Sequence, residues 1–271
     1  MTHPLLHTSP HRRLVVGHRG NSAHAPENTL EAFRQAVALG VDALELDVRI
    51  TADGHVVVMH DPTLARTTDR AGAVETLQLS EIREADAGAR FTTDAGRTFP
   101  YRHRGIGVPT LDDVLRELPD VPLLIEIKTV GAAAETRRII EAHGATQRCV
   151  VASFQDRALD AFRGSAVPLG GTPAEIKALY WSAAFRRGAR EAAFHCLSIP
   201  LRHRGIPIPV AGMVRALEPL GVPVHVWTVD RPPVAQALWR VGVRGILTND
   251  PALMLRARVE AEHREATARV P

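Results

Sequence analysis

Lysine is almost absent from this 271-residue chain: of its 33 basic side chains, only Lys128 and Lys177 are lysines. Aromatic residues make up only 4% of the sequence, and the arginines are scattered rather than gathered into blocks. Nucleic-acid-binding surfaces usually combine clustered basic residues with aromatic side chains on which bases stack. The composition therefore argues against a nucleic-acid partner, and the net charge of +3 does not change that.

Cysteines and long apolar runs are scarce as well. Cys149 and Cys196 lie far apart in predicted strands, so we expect free, buried thiols and no disulfide framework. No apolar run approaches the roughly 20 residues of a membrane-spanning helix. The segment before Arg12 also lacks the apolar core of a signal peptide. These absences predict a cytoplasmic protein without stable membrane insertion.

The rest of the chain alternates between short apolar strands and amphipathic helices. Eight such strands are predicted, starting at residues 14, 43, 122, 148, 166, 195, 223 and 244. Eight β/α units predict an α/β fold, the TIM (β/α)8 barrel, whose functional side chains lie at the C-terminal ends of the strands. We expect one domain over 1–271, a flexible arm over 1–12 and a small insertion over 62–108, after the second strand. The first helix is predicted to begin with Asn28 as its N-cap.

Residues 43–61 form the most informative stretch, because two extended runs are joined there by an Asp-Gly turn. In a strand, alternate side chains share one face, so Glu45 and Asp47 point the same way, about 7 Å apart. The turn carries His60 back towards them. Taken alone, this alternation is typical of any half-exposed strand. Its recurrence elsewhere in the chain is what gives it weight.

The same spacing recurs in the third predicted strand, where Glu126 and Lys128 share one face. Burying an unpaired carboxylate in an apolar strand is costly. A cation held by Glu45, Asp47 and Glu126 would compensate all three charges, and oxygen ligands suit Mg²⁺ or Ca²⁺ better than zinc. A buried salt-bridge cluster, with Lys128 and Arg19 as its cations, is the alternative that spacing leaves open.

Phosphoryl chemistry fits the remaining residues at the predicted strand ends. His18 and Arg19 follow the first strand. Arg19 and Lys128 could neutralise a phosphate group, whereas His18 and His60 could act as general acid and base near neutral pH. Which histidine is the acid and which the base stays open from the sequence.

Several ordered motifs resemble the glycerophosphodiester phosphodiesterase family: GHRGNSAHAPENTLEAF, ELDVRITADGHVVVMHDPTLARTTD, LLIEIK, SF and HVWTVD. The resemblance runs from Leu14 to Pro251 and is weakest between 170 and 208. It implies a TIM barrel that hydrolyses glycerophosphodiesters to glycerol 3-phosphate and an alcohol. It also implies these roles: His18 and His60 as acid and base, Glu45, Asp47 and Glu126 on a divalent metal, Arg19 and Lys128 on phosphate, Glu27 as a further polar site residue, and Trp227 beside the glycerol.

Two other functions remain as alternatives. A phospholipase-D-like lipid phosphodiesterase on the same barrel would be favoured by an exposed apolar loop at the mouth, for which only residues 206–209 qualify. A non-catalytic barrel that binds polyanions through its arginines would not need His18, His60 and three carboxylates. We therefore expect a small-molecule substrate, and the sequence predicts no oligomeric state.

Overall fold

The computed structural model describes residues 3–9, 12–184 and 191–268, and parallel strands form its centre. The parallel strands are β1 (Leu14–His18), β2 (Ala43–Ile50), β4 (Leu123–Ile127), β5 (Cys149–Ala152), β6 (Leu197–Pro200), β9 (Val224–Trp227) and β10 (Gly245–Thr248). They pair in the order β5–β4–β2–β1–β10–β9–β6. A short strand, β3 (Val56–Val58), pairs antiparallel with β2. Two more, β7 (Arg202–His203) and β8 (Ile206–Pro207), form a separate hairpin.

Single bridges, rather than a regular strand, close the ring between β5 and β6. Leu169 pairs with Val151 of β5, and Gly170 pairs with Cys196, next to β6. The predicted strand over 166–170 is reduced to these bridges, because Pro168 has no N–H to donate and glycine provides no side chain to pack. The predicted TIM barrel is nevertheless confirmed, with parallel strands and helices in alternation.

Helices follow the barrel strands and cover their outer faces. They are α1 (Leu30–Leu39), α2 (Leu79–Arg83), α3 (Leu111–Glu117), α4 (Ala133–Ala142), α5 (Asp156–Leu159), α6 (Pro173–Ala184), α7 (Val210–Leu217), α8 (Pro232–Arg240) and α9 (Pro251–Ala268). The helix predicted over 173–187 is α6 as far as Ala184, and its last three residues lie outside the described residues. Among the helices described, none has both the length and the apolar character needed to cross a membrane.

The apolar face of β2 packs under these helices, as its alternation predicts. Leu44, Leu46 and Val48 are fully buried in one cluster with Phe33 of α1 and Leu111 of α3. Burying a Leu or Phe side chain contributes about 1.5–3 kcal/mol to folding. The opposite face of β2 is thereby turned into the barrel, and that face carries Glu45 and Asp47.

Residues 62–108 lie between β3 and α3 and contain α2. Their buried apolar side chains form a small cluster against β3 and the residue after it: Val57, Met59, Leu64, Val74, Leu79, Ile82, Ala85, Ala87 and Val108. This packing holds the segment against the chain that leads from β2 towards the site. The interpretation of 62–108 as an insertion within one domain remains a prediction.

The N-terminal end of the barrel is covered by residues 3–6, in contrast to the flexible arm predicted over 1–12. Leu5 is fully buried among residues at the starts of the strands. His3 donates a hydrogen bond from Nε2 to the Arg148 carbonyl (2.9 Å), and His225 donates one from Nε2 to the Leu5 carbonyl (2.8 Å). These buried contacts hold the segment in place. Its sequence is too short for an apolar–polar pattern to predict this burial.

These two buried histidines predict a loss of stability in mild acid. Burial lowers the pKa of both His3 and His225 to about 4. Below the unfolded pKa of about 6.5, the unfolded chain takes up protons that the folded chain excludes. The free energy of unfolding should therefore fall from pH 6.5 to 4, by up to about 3 kcal/mol for each histidine. Urea unfolding at a series of pH values measures this loss.

Carboxylates also contribute to acid unfolding, so the comparison with His3→Gln isolates the histidine. Glutamine can keep the hydrogen bond to Arg148 but does not titrate. The variant should lose less stability between pH 6.5 and 4 than the wild type. Equal losses in the two proteins would contradict the assignment of this acid sensitivity to His3.

Candidate active site

Strand register brings polar side chains together at the C-terminal edge of the barrel. His18 of β1 pairs with Glu45 of β2, and Asp47 of β2 pairs with Glu126 of β4. Neighbouring strands lie about 4.8 Å apart, so paired residues that point to the same side are adjacent. The register thus gathers groups that are up to 108 positions apart in the chain.

Three carboxylates converge in this cluster. One oxygen each from Glu45, Asp47 and Glu126 lies within 4.8 Å of the other two. Burial raises the pKa of Glu45 well above its usual value, and the nearby charges of Asp47 and Glu126 raise it further. Burial also raises the pKa of Glu126. Ionised carboxylates this close need positive charge nearby.

Two basic side chains supply part of that charge. Lys128 Nζ lies 2.9 Å from Asp47 Oδ1 and also contacts Glu126 Oε1, while Arg19 Nε lies 3.1 Å from Asp47 Oδ2. Burial alone would raise the pKa of Asp47, but Lys128 and Arg19 hold it below its usual value. The salt-bridge cluster considered from the sequence is therefore present. Its two cations contact Asp47 directly and compensate the charge of Asp47 more than that of Glu45.

The donor set still fits a divalent cation. Two oxygens on opposite sides of a bound Ca²⁺ lie about 4.6–5.2 Å apart, close to the spread of this cluster. Asp47 Oδ1 is fully buried and makes no well-aligned hydrogen bond, although Lys128 is nearby. Glu45 accepts a hydrogen bond from the Arg19 backbone N–H (3.0 Å), and its Oε2 lies 3.9 Å from His18 Nε2. Glu45, Asp47 and Glu126 are thus the residues that could hold a metal ion.

A tight turn after β1 places Arg19 beside the acidic cluster. Arg19 itself has φ 56°, a left-handed conformation that is uncommon for a residue other than glycine. Gly20 follows with φ 86°, and a Cβ there would lie 2.7 Å from the carbonyl carbon of Ala32. Only glycine fits this position. The turn allows Arg19 to reach both Asp47 and, through a 2.9 Å contact, Glu27.

Asn28 supports the site instead of capping the first helix. Thr29 is the N-cap of α1 and accepts a hydrogen bond from Ala32 N. Asn28 has φ 58°; its Nδ2 donates to Asp47 Oδ2 (2.9 Å), and its Oδ1 accepts from Asp47 N (3.3 Å). The predicted cap is therefore wrong by one residue. Thr29 and Asn28 are both capping types, and only the tertiary contact with Asp47 separates their roles.

His18 is held between two partners. Its Nδ1 lies 2.7 Å from Asn249 Oδ1, and its Nε2 lies 3.9 Å from Glu45 Oε2. Burial lowers the pKa of His18, and the positive charge of Arg19 lowers it further. The imidazole is therefore neutral at pH 7 and able to accept a proton.

His60 is linked through Asp61 and Arg66 to Glu27. Its Nδ1 lies 2.7 Å from Asp61 Oδ1. Arg66 contacts Asp61 through Nε at 2.6 Å and binds both oxygens of Glu27 at 2.7 and 2.8 Å. The hydrogen bond from Arg66 lowers the pKa of Asp61 to about 2. His60 is thus oriented by a carboxylate that stays ionised, and Arg66 ties that carboxylate to Glu27 near His18.

A cavity of about 350 Å³ opens over these groups. Its polar wall is formed by His18, Arg19, Glu45, His60, Glu126 and Lys128. The opposite wall is apolar and includes Trp227, which contacts the Phe154 ring edge-on with 5.8 Å between centroids. Asp47 lies below this cavity, and Glu27 lines an adjoining cavity that also reaches His18.

The structure brings all nine predicted site residues into this region. Sequence reasoning missed four supporting residues: Asn28, Asp61, Arg66 and Asn249. Asp61 and Arg66 follow His60 closely in a polar segment, HDPTLARTTD, that offered a signal. Asn249 directly follows the last strand, a position where site residues are expected, but its partner His18 lies 231 positions away.

Comparison with known proteins identifies the chain's relatives. Residues 18–253 match the model of the glycerophosphoryl diester phosphodiesterase family. A Mycobacterium tuberculosis protein named "Probable glycerophosphodiester phosphodiesterase 2" is 35% identical over 253 residues, covering 89% of each chain. A Caldanaerobacter subterraneus glycerophosphodiester phosphodiesterase is 34% identical over 258 residues, covering 90% of this chain and 97% of the relative.

A solved structure agrees with these sequence matches. The crystal structure of glycerophosphodiester phosphodiesterase from Agrobacterium tumefaciens superposes with a TM-score of 0.71 at 27% identity. The superposition covers 90% of this chain and 99% of the other. Fold, site geometry and similarity lead to one conclusion: this chain belongs to the glycerophosphoryl diester phosphodiesterase family.

Proposed function

We propose that the protein hydrolyses glycerophosphodiesters to glycerol 3-phosphate and an alcohol. The observation that carries this proposal is one cavity lined by two histidines, two basic side chains, Glu45 and Glu126, with Asp47 buried beside these two carboxylates. The cavity of about 350 Å³ is within the usual range for a small-molecule site. The names of relatives that are 34–35% identical over most of the chain support the same activity.

The basic side chains are suited to binding the phosphodiester. Lys128 and Arg19 present positive charge beside the carboxylates, and both line the cavity. We assign them to the non-bridging phosphate oxygens, where charge-assisted hydrogen bonds are strongest. Trp227 lies on the opposite wall, and its flat ring is suited to packing against the carbon atoms of the glycerol.

The two histidines are suited to moving the protons of the reaction. In the proposed hydrolysis, an attacking oxygen forms a new P–O bond and loses a proton to one imidazole. The P–O bond to the alcohol breaks as the other imidazole gives its proton to the departing oxygen. His18, which is neutral at pH 7 because burial lowers its pKa, suits the accepting role.

Glu45, Asp47 and Glu126 are proposed to hold a divalent cation, Mg²⁺ or Ca²⁺. When bound, such an ion polarises a phosphate oxygen and stabilises the charge that develops on it. Their oxygens lie within 4.8 Å of one another, and the excess of carboxylates over nearby cations supports the assignment.

A cytoplasmic location stays a prediction, with the free, buried Cys149 and Cys196 in its favour.

Replacing either histidine should remove most of the activity. His18→Ala or His60→Ala should lower kcat/KM about 10²–10⁴-fold, because one proton transfer loses its catalyst. Enzymatic detection of glycerol 3-phosphate released from glycerophosphocholine measures this loss. His103→Ala is a matched control, because His103 begins a second HRG triplet but is 82% exposed, beside Asp86. Loss of activity in the control, or full activity in His18→Ala, would contradict the proposal.

Metal binding can be tested without relying on turnover. Adding Ca²⁺ or Mg²⁺ at about 100 times its Kd should raise the free energy of unfolding by about 2.7 kcal/mol, and EDTA should reverse the rise. Glu45→Gln should lose this response. It should also raise the melting temperature of the metal-free protein, because ionised Glu45 is destabilised by burial and by its acidic neighbours.

Glu117→Gln provides the control for this experiment, because Glu117 is half-exposed and pairs with Arg34 far from the cluster. Its metal response should equal that of the wild type. A wild-type protein whose melting temperature and activity ignore both metal ions and EDTA would contradict metal binding by Glu45, Asp47 and Glu126.

One observation keeps the lipid phosphodiesterase as a second candidate. Phe154 lines the cavity although its side chain is 49% exposed, and Ile206, 57% exposed, lies on the β7–β8 hairpin whose His203 also lines it. An acyl chain could pack against such a rim. The primary proposal predicts a higher kcat/KM for glycerophosphocholine than for lysophosphatidylcholine. The reverse order, abolished by Phe154→Ser with Ile206→Ser, would favour the lipid substrate.

A further inference from the structure

Behind His18, a chain of hydrogen bonds runs away from the cavity and ends at Asp230. His18 Nδ1 lies 2.7 Å from Asn249 Oδ1, and Asn249 Nδ2 donates to Asp230 Oδ2 at 2.8 Å. Asp230 Oδ1 accepts two further hydrogen bonds at 2.8 Å, from Asn249 N and from the Thr248 hydroxyl. Asn249, Asp230 and Thr248 do not belong to the predicted site.

The chemistry of Asp230 fixes the orientation of the Asn249 amide. A carboxylate only accepts hydrogen bonds, so the amide must turn its NH₂ group towards Asp230. The opposite orientation would put two acceptor oxygens together and lose the hydrogen bond from Asn249 to Asp230. The Thr248 hydroxyl cannot loosen this arrangement, because its oxygen accepts from Asp250 N (3.1 Å) while its proton goes to Asp230.

The amide in turn fixes the proton on His18. Asn249 Oδ1 is an acceptor, so the nitrogen 2.7 Å away must be the one that carries hydrogen. The Ser22 hydroxyl lies 3.0 Å from this oxygen and 2.8 Å from the His18 carbonyl oxygen, and its single proton is shared between these two acceptors. A neutral His18 therefore carries its proton on Nδ1, and its Nε2, beside Glu45, keeps a free lone pair.

We propose that Asn249, oriented by Asp230, is a positioning residue that holds His18 in the Nδ1–H tautomer, so that Nε2 is the atom that exchanges a proton with the substrate. This inference rests on the proposed function. His60 is arranged in parallel: its Nδ1 contacts the Asp61 carboxylate, which again leaves Nε2 for the cavity. The His60 imidazole is oriented by its neighbour Asp61, whereas the His18 imidazole is oriented by Asn249, which follows β10, and Asp230, which follows β9.

A structural role alone does not account for the Asn249 side chain. The helix that follows, α9, is capped by Asp250, whose Oδ1 accepts from Leu253 N at 3.0 Å. The Asn249 backbone already bonds to Ala23 and Asp230 through its own C=O and N–H. What the side-chain oxygen adds is its contact with His18 and Ser22.

The test uses Asn249→Leu, which keeps the approximate size but removes the acceptor, in the full-length protein with Mg²⁺. Nitrogen NMR of ¹⁵N-histidine-labelled protein reports the tautomer directly, and a spectrum of His18→Gln assigns the His18 signals. We expect a protonated Nδ1 in the wild type and a shift towards protonated Nε2 in Asn249→Leu. With glycerophosphocholine, kcat should fall about 10²–10³-fold while KM stays within about twofold, because Nε2, the nitrogen that faces the substrate, would then carry the proton and could not accept one.

A paired exchange separates positioning from folding. Asn249→Asp combined with Asp230→Asn restores an acceptor towards His18 and a donor behind it, so the Nδ1–H signal and most of kcat should return. Asp250→Asn is the matched control, because asparagine can still cap α9 and this side chain does not touch His18. That control should match the wild type in kcat and in the His18 spectrum.

The outcomes distinguish the two proposals. A wild-type His18 protonated on Nε2, or an Asn249→Leu protein with an unchanged tautomer and kcat, would overturn the positioning role. Failure of the paired exchange in a folded protein would also overturn it. A wild-type protein without phosphodiesterase activity would overturn the proposed function, and the spectra would still decide the tautomer.

Discussion

Repulsion among three carboxylates, two of them buried and the third partly buried, is the constraint on which the rest of the site depends. Glu45 and Asp47 are almost fully buried, and Glu126 of the neighbouring strand β4 pairs with Asp47. Removing charges from water is expensive, and placing like charges together adds to the cost. The polar features at this end of the barrel compensate that cost: Lys128 between two of the carboxylates, the strained turn at Arg19, and the amide of Asn28 on Asp47.

The protein's own groups compensate the carboxylate charges unevenly, and Asp47 is compensated more than Glu45. Asp47 is contacted by the cations Lys128 and Arg19 and accepts a hydrogen bond from Asn28, and these groups hold its pKa below the usual value. Glu45 receives a backbone N–H and a distant imidazole, and its pKa is raised. The protein's own groups therefore stabilise the negative charge of Asp47, whereas the charge of Glu45 is left largely uncompensated. This imbalance supports the proposal that the site binds a divalent cation together with an anionic ester.

Much of this site follows from the sequence because strand geometry is local. Period-two alternation places Glu45 with Asp47 and Glu126 with Lys128, and the barrel rule then brings both pairs to one edge. Asn249 and Asn28 could not be predicted in the same way, because their partners are defined by tertiary contacts. The N-terminal residues 3–6 were missed for the same reason. The fifth predicted strand, over 166–170, was overestimated, since Pro168 and Gly170 interrupt its ladder.

Arg66 binds Glu27, which follows β1, and Asp61, which follows β3. It lies within the segment 62–108, whose remaining residues pack as a small separate cluster. That segment invites exchange between relatives when chimeric enzymes are built, because its apolar contacts are largely its own. A transplant that omits this arginine would leave Glu27 and Asp61 without their shared counter-charge. Successful grafts must carry the matching acidic residues along with the loop.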